Sequence, residues 1–156
     1  MGSIERVQAA ASQAGLDIDV RRMGASTRTA EEAARECGCA VAQIVKSLVF
    51  EGGRSGRLML FLVSGLNQLD LAKAAALAGE PLKRGEPRRI RDETGFAIGG
   101  VSPIGHRIDM PAWGDETLLG FAKVFAAAGA HDAIFSAEPA ALFRAAGAAP
   151  ADLKQA

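Results

Sequence analysis

Lys46 stands in the middle of the apolar run QIVKSLVF, where a cation has no evident partner. Lysine is rarely buried unpaired, so this one faces either solvent or a pocket. In a pocket its ammonium is a point charge suited to a phosphate or a carboxylate. A second unusual stretch is GFAIGGVSPIGH, residues 95–106, which packs four glycines, a proline, a serine and a histidine into twelve positions. Glycine lets the main chain approach a ligand closely and visit positive φ. The amides around Gly99 and Gly100 can therefore cradle an anion, or an oxyanion that develops during a reaction. An ordinary turn between strands accounts for the same composition. Ser102, directly before Pro103, can hydrogen-bond a ligand, but no base stands at a readable spacing to make it a nucleophile.

Other chemistries leave no trace. Neither GxGxxG nor GxxxxGK[ST] is present, and there is no HExxH and no GxSxG. His106 and His131, the two histidines, read as packing or surface residues. Cys37 and Cys39 cannot build a disulfide framework or a four-ligand zinc site; they read as packing residues of a protein kept in a reducing compartment. With 18 basic and 18 acidic residues the chain lacks the overall basic field of a non-specific duplex binder, so DNA is not an expected partner and any RNA contact is local. The one cationic cluster, LKRGEPRRIR, carries Lys83, Arg84, Arg88, Arg89 and Arg91, either as a solvated helix face or as a phosphate-tracking patch. The N-terminus has no apolar signal region and no run is long enough to span a bilayer, which predicts a cytoplasmic protein.

The elements that must position these residues are well punctuated. At 156 residues, 49% of them hydrophobic, the expectation is one domain over 1–156. Ser3 is placed to cap a helix that stops at Gly15, and Ile18 and Val20 alternate as in a strand. Thr29 and Glu32 form a capping box for a helix ending at Gly38. IVKSLVFE and LMLFLVS, joined by GGRSGR, predict a central hairpin buried on both faces. LDLAKAAALAG and PRRIRDETG predict helices ending at Gly79 and Gly95, the second opened by Pro87. HRIDMPAW and AIFSA read as strands and EPAALFRAAG as a helix, while AKVFAAA suits helix or strand equally. The pattern is mixed α/β.

Taken in order, STRTAEEAA, QIVKSLVF, VSGLNQLDL, ETGFAIGGVSPIGH, DETLL and AAGAHDAIFSAEPAAL resemble the YbaK/EbsC family, free-standing relatives of the editing domain inserted in bacterial prolyl-tRNA synthetases. The resemblance covers about residues 20–147 and is most specific at Lys46 and at the Gly-x-x-x-Pro loop from Gly99 to Pro103. It implies a curved mixed sheet surrounded by helices, with AKVFAAA as a strand. It also implies an aminoacyl-tRNA deacylase that removes a small amino acid such as alanine, cysteine, serine or threonine from a mischarged tRNA for proline. In that reading Lys46, Gly99, Gly100 and Ser102 serve catalysis; Thr29, Val101, Pro103, Gly105, His106 and Ser136 surround the substrate; and Arg84, Arg88, Arg89 and Arg91 meet the tRNA. No metal or cofactor is implied, because the terminal ribose hydroxyl helps to activate water. Prolyl-tRNA synthetase is a candidate second partner, and the chain is a monomer or homodimer. Two rivals stay open: a non-catalytic tRNA-end or synthetase-binding module, and an unrelated small-anion or nucleotide enzyme.

Overall fold

A computed structural model describes residues 2–24, 27 and 29–156; Ser26 and Arg28 of the STRTAEEAA stretch lie outside the described residues. The chain runs α1 (Ser3–Gln13), β1 (Asp19–Arg22), α2 (Ala30–Cys37), β2 (Ile44–Gly52), β3 (Leu58–Ser64), α3 (Leu71–Ala78), β4 (Leu82–Arg84) and α4 (Pro87–Thr94). It continues through β5 (Ala112–Asp115), a 3-10 turn at Glu116–Gly120, β6 (Val124–Ala127), β7 (Ala133–Ala137), α5 (Pro139–Ala146) and β8 (Ala148–Ala151). The sheet order is β1-β7-β6-β2-β3-β5-β8, with β4 added beside β2. β2–β6, β3–β5 and β5–β8 are parallel and the other pairs antiparallel, so the sheet is mixed as expected. AKVFAAA contributes β6, pairing overriding its alanine content.

Local chemistry sets the helix ends. The α2 capping box forms, with Thr29 Oγ1 accepting from the Glu32 amide at 3.1 Å and Glu32 returning to the Thr29 amide. A cap of this kind is worth about 1 kcal/mol. Asp70, Glu86 and Glu138 cap α3, α4 and α5, the last two followed by proline at the first helical position. Ser3 is not a cap: Gly2 occupies that position and Ser3 is already helical, with its hydroxyl 3.4 Å from the Gly95 carbonyl oxygen.

The hairpin of β2 and β3 is the spine. Every β3 residue is buried, and Phe61 stacks on Trp113 at 5.2 Å. β2 is only half-buried over Lys46 to Glu51, so burial on both faces holds for one strand of the pair. The outer edge of β2 explains this. It pairs with β6 at Ile44 and Val45 and with β4 at Phe50, Glu51 and Gly52, while residues 46–49 have no strand partner on that side. HRIDMPAW is a strand only in its last two residues. Pro111 has no N–H to give to a ladder, and the Arg107 amide is drawn to the Thr94 carbonyl at 2.9 Å, tying the stretch to the end of α4. No described helix is long and apolar enough to cross a membrane.

Candidate active site

The break in pairing along β2 opens a cleft. Ladder geometry makes successive residues point their main-chain groups to opposite edges. Ile44 accepts from Gly65 and Gly52 donates to Arg57, so the even-numbered residues face β3. Ser47 therefore turns its N–H and C=O into the gap. The opposite wall is the glycine loop, and the two walls enclose adjoining cavities of about 490 Å³ on the β4 side and about 410 Å³ on the α2 side. Lys46, Ser47, Gln68, Ile98, Gly99 and Val101 border both.

Lys46 faces this cleft rather than bulk solvent. Its Nζ donates to the Asn67 carbonyl at 2.5 Å, leaving ammonium protons for a ligand. Burial pulls its pKa below the ordinary lysine value, and the carboxylates of Glu31 and Asp115 oppose that shift. Thr29 and Glu31, from the start of α2, line the 410 Å³ lobe with Ala30, Ala33 and Phe125. Thr27 also lines it, anchored through its amide and hydroxyl to the His131 carbonyl.

The glycine loop divides into a front and a back. Gly99, at φ +94°, bends the chain so that Ile98, Gly99 and Val101 meet the cleft. The Gly100 amide closes a turn on the Ala97 carbonyl at 2.9 Å, and a Cβ there would lie 3.2 Å from the Ala130 backbone. Among the described residues the amides of Ile98, Gly99 and Val101, the loop residues that border the cleft, have no acceptor, while Gly100 is a packing point. Ser102, Pro103, Gly105 and His106 line neither lobe. Ser102 is fully buried, its Oγ accepting from the Ile104 amide at 3.3 Å. His106 meets the Ser102 carbonyl at 2.6 Å and packs edge-to-face with Phe96, the ring centroids 5.6 Å apart. Burial, then the nearby Arg6, hold its pKa below the usual histidine value, against the Ser102 bond.

Ser136 lies outside the cleft, in β7 beside Asp19 and Cys37. Burial raises both cysteine thiols, Cys39 to about 11, so neither is a ready thiolate nucleophile. The basic cluster splits as well. Arg84 is exposed and lines the β4-side lobe with Lys83, and Arg88 and Arg91 are exposed on α4. Arg89 is instead tied to Glu93, Glu51 and the Gly56 carbonyl, fastening α4 to the hairpin. Sequence reasoning missed Glu31, Asn67, Ile98 and Asp115. Glu31 and Ile98 line the cleft, whereas Asn67 and Asp115 lie behind Lys46; their stretches are quoted in the family pattern, yet no motif marks them.

The profile of the aminoacyl-tRNA editing domain matches residues 25–145. A solved structure described as a proposed trans-editing enzyme for prolyl-tRNA synthetase is 50% identical and superposes with a TM-score of 0.93, covering 100% of this chain and 99% of that one. The proposed Cys-tRNA(Pro)/Cys-tRNA(Cys) deacylase EbsC of Enterococcus faecalis is 31% identical over 104 residues, 65% of this chain and 62% of its own length. A proline–tRNA ligase of Thermosipho melanesiensis is 38% identical over 81 residues, 51% of this chain and 14% of the ligase.

Proposed function

The chain belongs to the aminoacyl-tRNA editing domain family, and from that premise we propose that its cleft hydrolyses the ester of a proline tRNA mischarged with a small amino acid. The enzyme class is aminoacyl-tRNA deacylase. The observation that supports the finer reading is convergence: Lys46, the Ser47 main chain, and Gly99 and Val101, whose amides have no acceptor among the described residues, all border one gap in the sheet.

An aminoacyl ester is already activated, so the site must position water and stabilise the tetrahedral oxyanion rather than supply a strong nucleophile. The Gly99 and Val101 amides serve that oxyanion. Water adds to the carbonyl carbon and the bond to the ribose oxygen breaks, releasing the amino acid and a free tRNA end, with the neighbouring ribose hydroxyl assisting the water. Lys46 anchors the polar groups of the terminal nucleotide. The α2-side lobe, lined by Ala30, Ala33 and Phe125, takes the amino acid; a pocket of limited size rejects a bulkier side chain, as a second sieve must. The β4-side lobe, with Lys83, Arg84 and the exposed Ile98, takes the nucleotide end. Prolyl-tRNA synthetase is the natural source of such substrates.

The test is a panel of proline tRNAs charged with alanine, cysteine, serine, threonine or proline. Release of a small amino acid with proline retained supports the reading. Tight binding with no release from any member makes the protein a tRNA-end binding module instead. In the same assay Arg84→Gln with Arg88→Gln should flatten the slope of log affinity against log salt by about 1 to 2, since each lost phosphate contact removes slightly less than one unit. Arg89→Gln should lower stability instead, because its guanidinium is committed within the protein.

A further inference from the structure

Asp115 is a buried carboxylate that the hydrolytic scheme leaves unused. It ends β5 with 0% exposure, and three N–H groups converge on it. The Ser64 amide at 3.1 Å and the Asn67 side chain at 2.9 Å donate to Oδ2, and the Thr117 amide at 3.0 Å donates to Oδ1. Two of these bonds follow from secondary structure. Thr117 belongs to the 3-10 turn that Asp115 caps, and Ser64 ends the neighbouring strand β3. The third comes from a side chain in a turn outside the strands, Asn67, 48 positions away.

Asn67 sits in the turn that leaves β3, between the exposed Leu66 and Gln68. Its side-chain amide also reaches Thr117 Oγ1 at 3.1 Å, so both of its bonds face the end of β5. Its carbonyl accepts the Lys46 ammonium at 2.5 Å. The turn is gripped on one side by a buried anion and grips the cleft lysine on the other. A turn fastened only for stability has no need of a desolvated carboxylate, which is expensive to bury.

We propose that Asp115 is a positioning residue for Lys46: acting through Asn67, it fixes the ammonium at the mouth of the sheet gap and places a buried negative charge behind it. This role presupposes the deacylase reading of the cleft and extends it to a residue that touches no substrate. Other charges also face Lys46. Glu31 borders the α2-side lobe, and Lys83 and Arg84 border the other. Burial draws the lysine's pKa down, and Glu31 and then Asp115 oppose it; of these two only Asp115 is fully buried and linked to Lys46 through Asn67.

The experiment follows the Lys46 side chain by NMR across pH in the free protein and measures single-turnover deacylation alongside. Asp115→Asn should move the Lys46 titration down by about one pH unit and bring the alkaline loss of activity down with it. Thr117→Val, which removes one Asn67 bond and no charge, should leave the titration in place. Asn67→Ala keeps the charge and the accepting carbonyl but cuts the link, and it covers the case in which Asp115→Asn does not fold. Its rate should fall about tenfold while the titration shifts by less than half as far. An unmoved Lys46 titration in folded Asp115→Asn, or full activity in folded Asn67→Ala, overturns the proposal. Because the titration is read without substrate, a wild-type protein that hydrolyses no ester sinks the deacylase reading alone.

Discussion

The two halves of the segment 95–106 share a composition and differ in use. The front, at Ile98, Gly99 and Val101, borders the cleft, and among the described residues its three amides have no acceptor. The back, from Ser102 to His106, turns inward: its hydroxyl and imidazole bond within the loop, and a Cβ at Gly105 would lie 3.1 Å from the Arg6 main chain in α1. Glycine serves display in one half and close packing in the other. Polar residue types alone do not mark a reactive surface; the satisfied ones in the back hold the unsatisfied amides of the front in place.

The contrast breaks most visibly at the residue the front faces. Lys46→Ala should lower single-turnover deacylation about thirty- to a thousand-fold, roughly 2 to 4 kcal/mol, with an unchanged melting curve. Normal rates in that variant would remove the chemistry from the cleft. Gly105→Ala tests the back: at φ +86° and hard against α1, the new methyl should cost about 1 to 3 kcal/mol. Thermal unfolding should show a Tm several degrees lower, with the rate at low temperature within about threefold of wild type. A large rate loss without loss of stability would join the two halves into one functional unit.

Ser102→Ala sharpens the comparison further, since it deletes a buried hydroxyl and leaves every amide in place. About 1 kcal/mol of stability should go with the Ile104 bond, and the rate should hold within about threefold. If its rate falls as far as that of Lys46→Ala while the fold survives, a side-chain nucleophile operates here. The smallest effect is at His106, whose pKa burial depresses in the folded state. As pH falls below about 6.5 the unfolded chain takes up the proton first, so stability is full above that pH and declines below it. His106→Gln should flatten the dependence of Tm on pH below about 6.5 without changing the alkaline limb of activity. An identical slope in the variant would place the imidazole in solvent.

Much of this could be read along the chain. The α2 capping box, Pro87 and Pro139 at helix starts, and the glycine stops at Gly38, Gly79, Gly95 and Gly147 all act through bonds spanning a few residues, so their meaning is complete in the local sequence. Lys46 was conspicuous for the same reason, a charge surrounded by apolar neighbours. What faces what was decided elsewhere. Asn67, 21 residues beyond Lys46, clamps its ammonium; Asp115 holds Asn67 from another strand; and Glu51 and Glu93 withdraw Arg89 from a cluster in which sequence could not tell it from Arg84. The gap in β2 belongs to no stretch of sequence. It exists because β6 and β4 reach the same edge from different parts of the chain and stop short of each other, leaving residues 46–49 without a strand partner there. Hydrogen bonds between elements far apart in sequence choose which polar groups are satisfied, and the groups they leave over make the site.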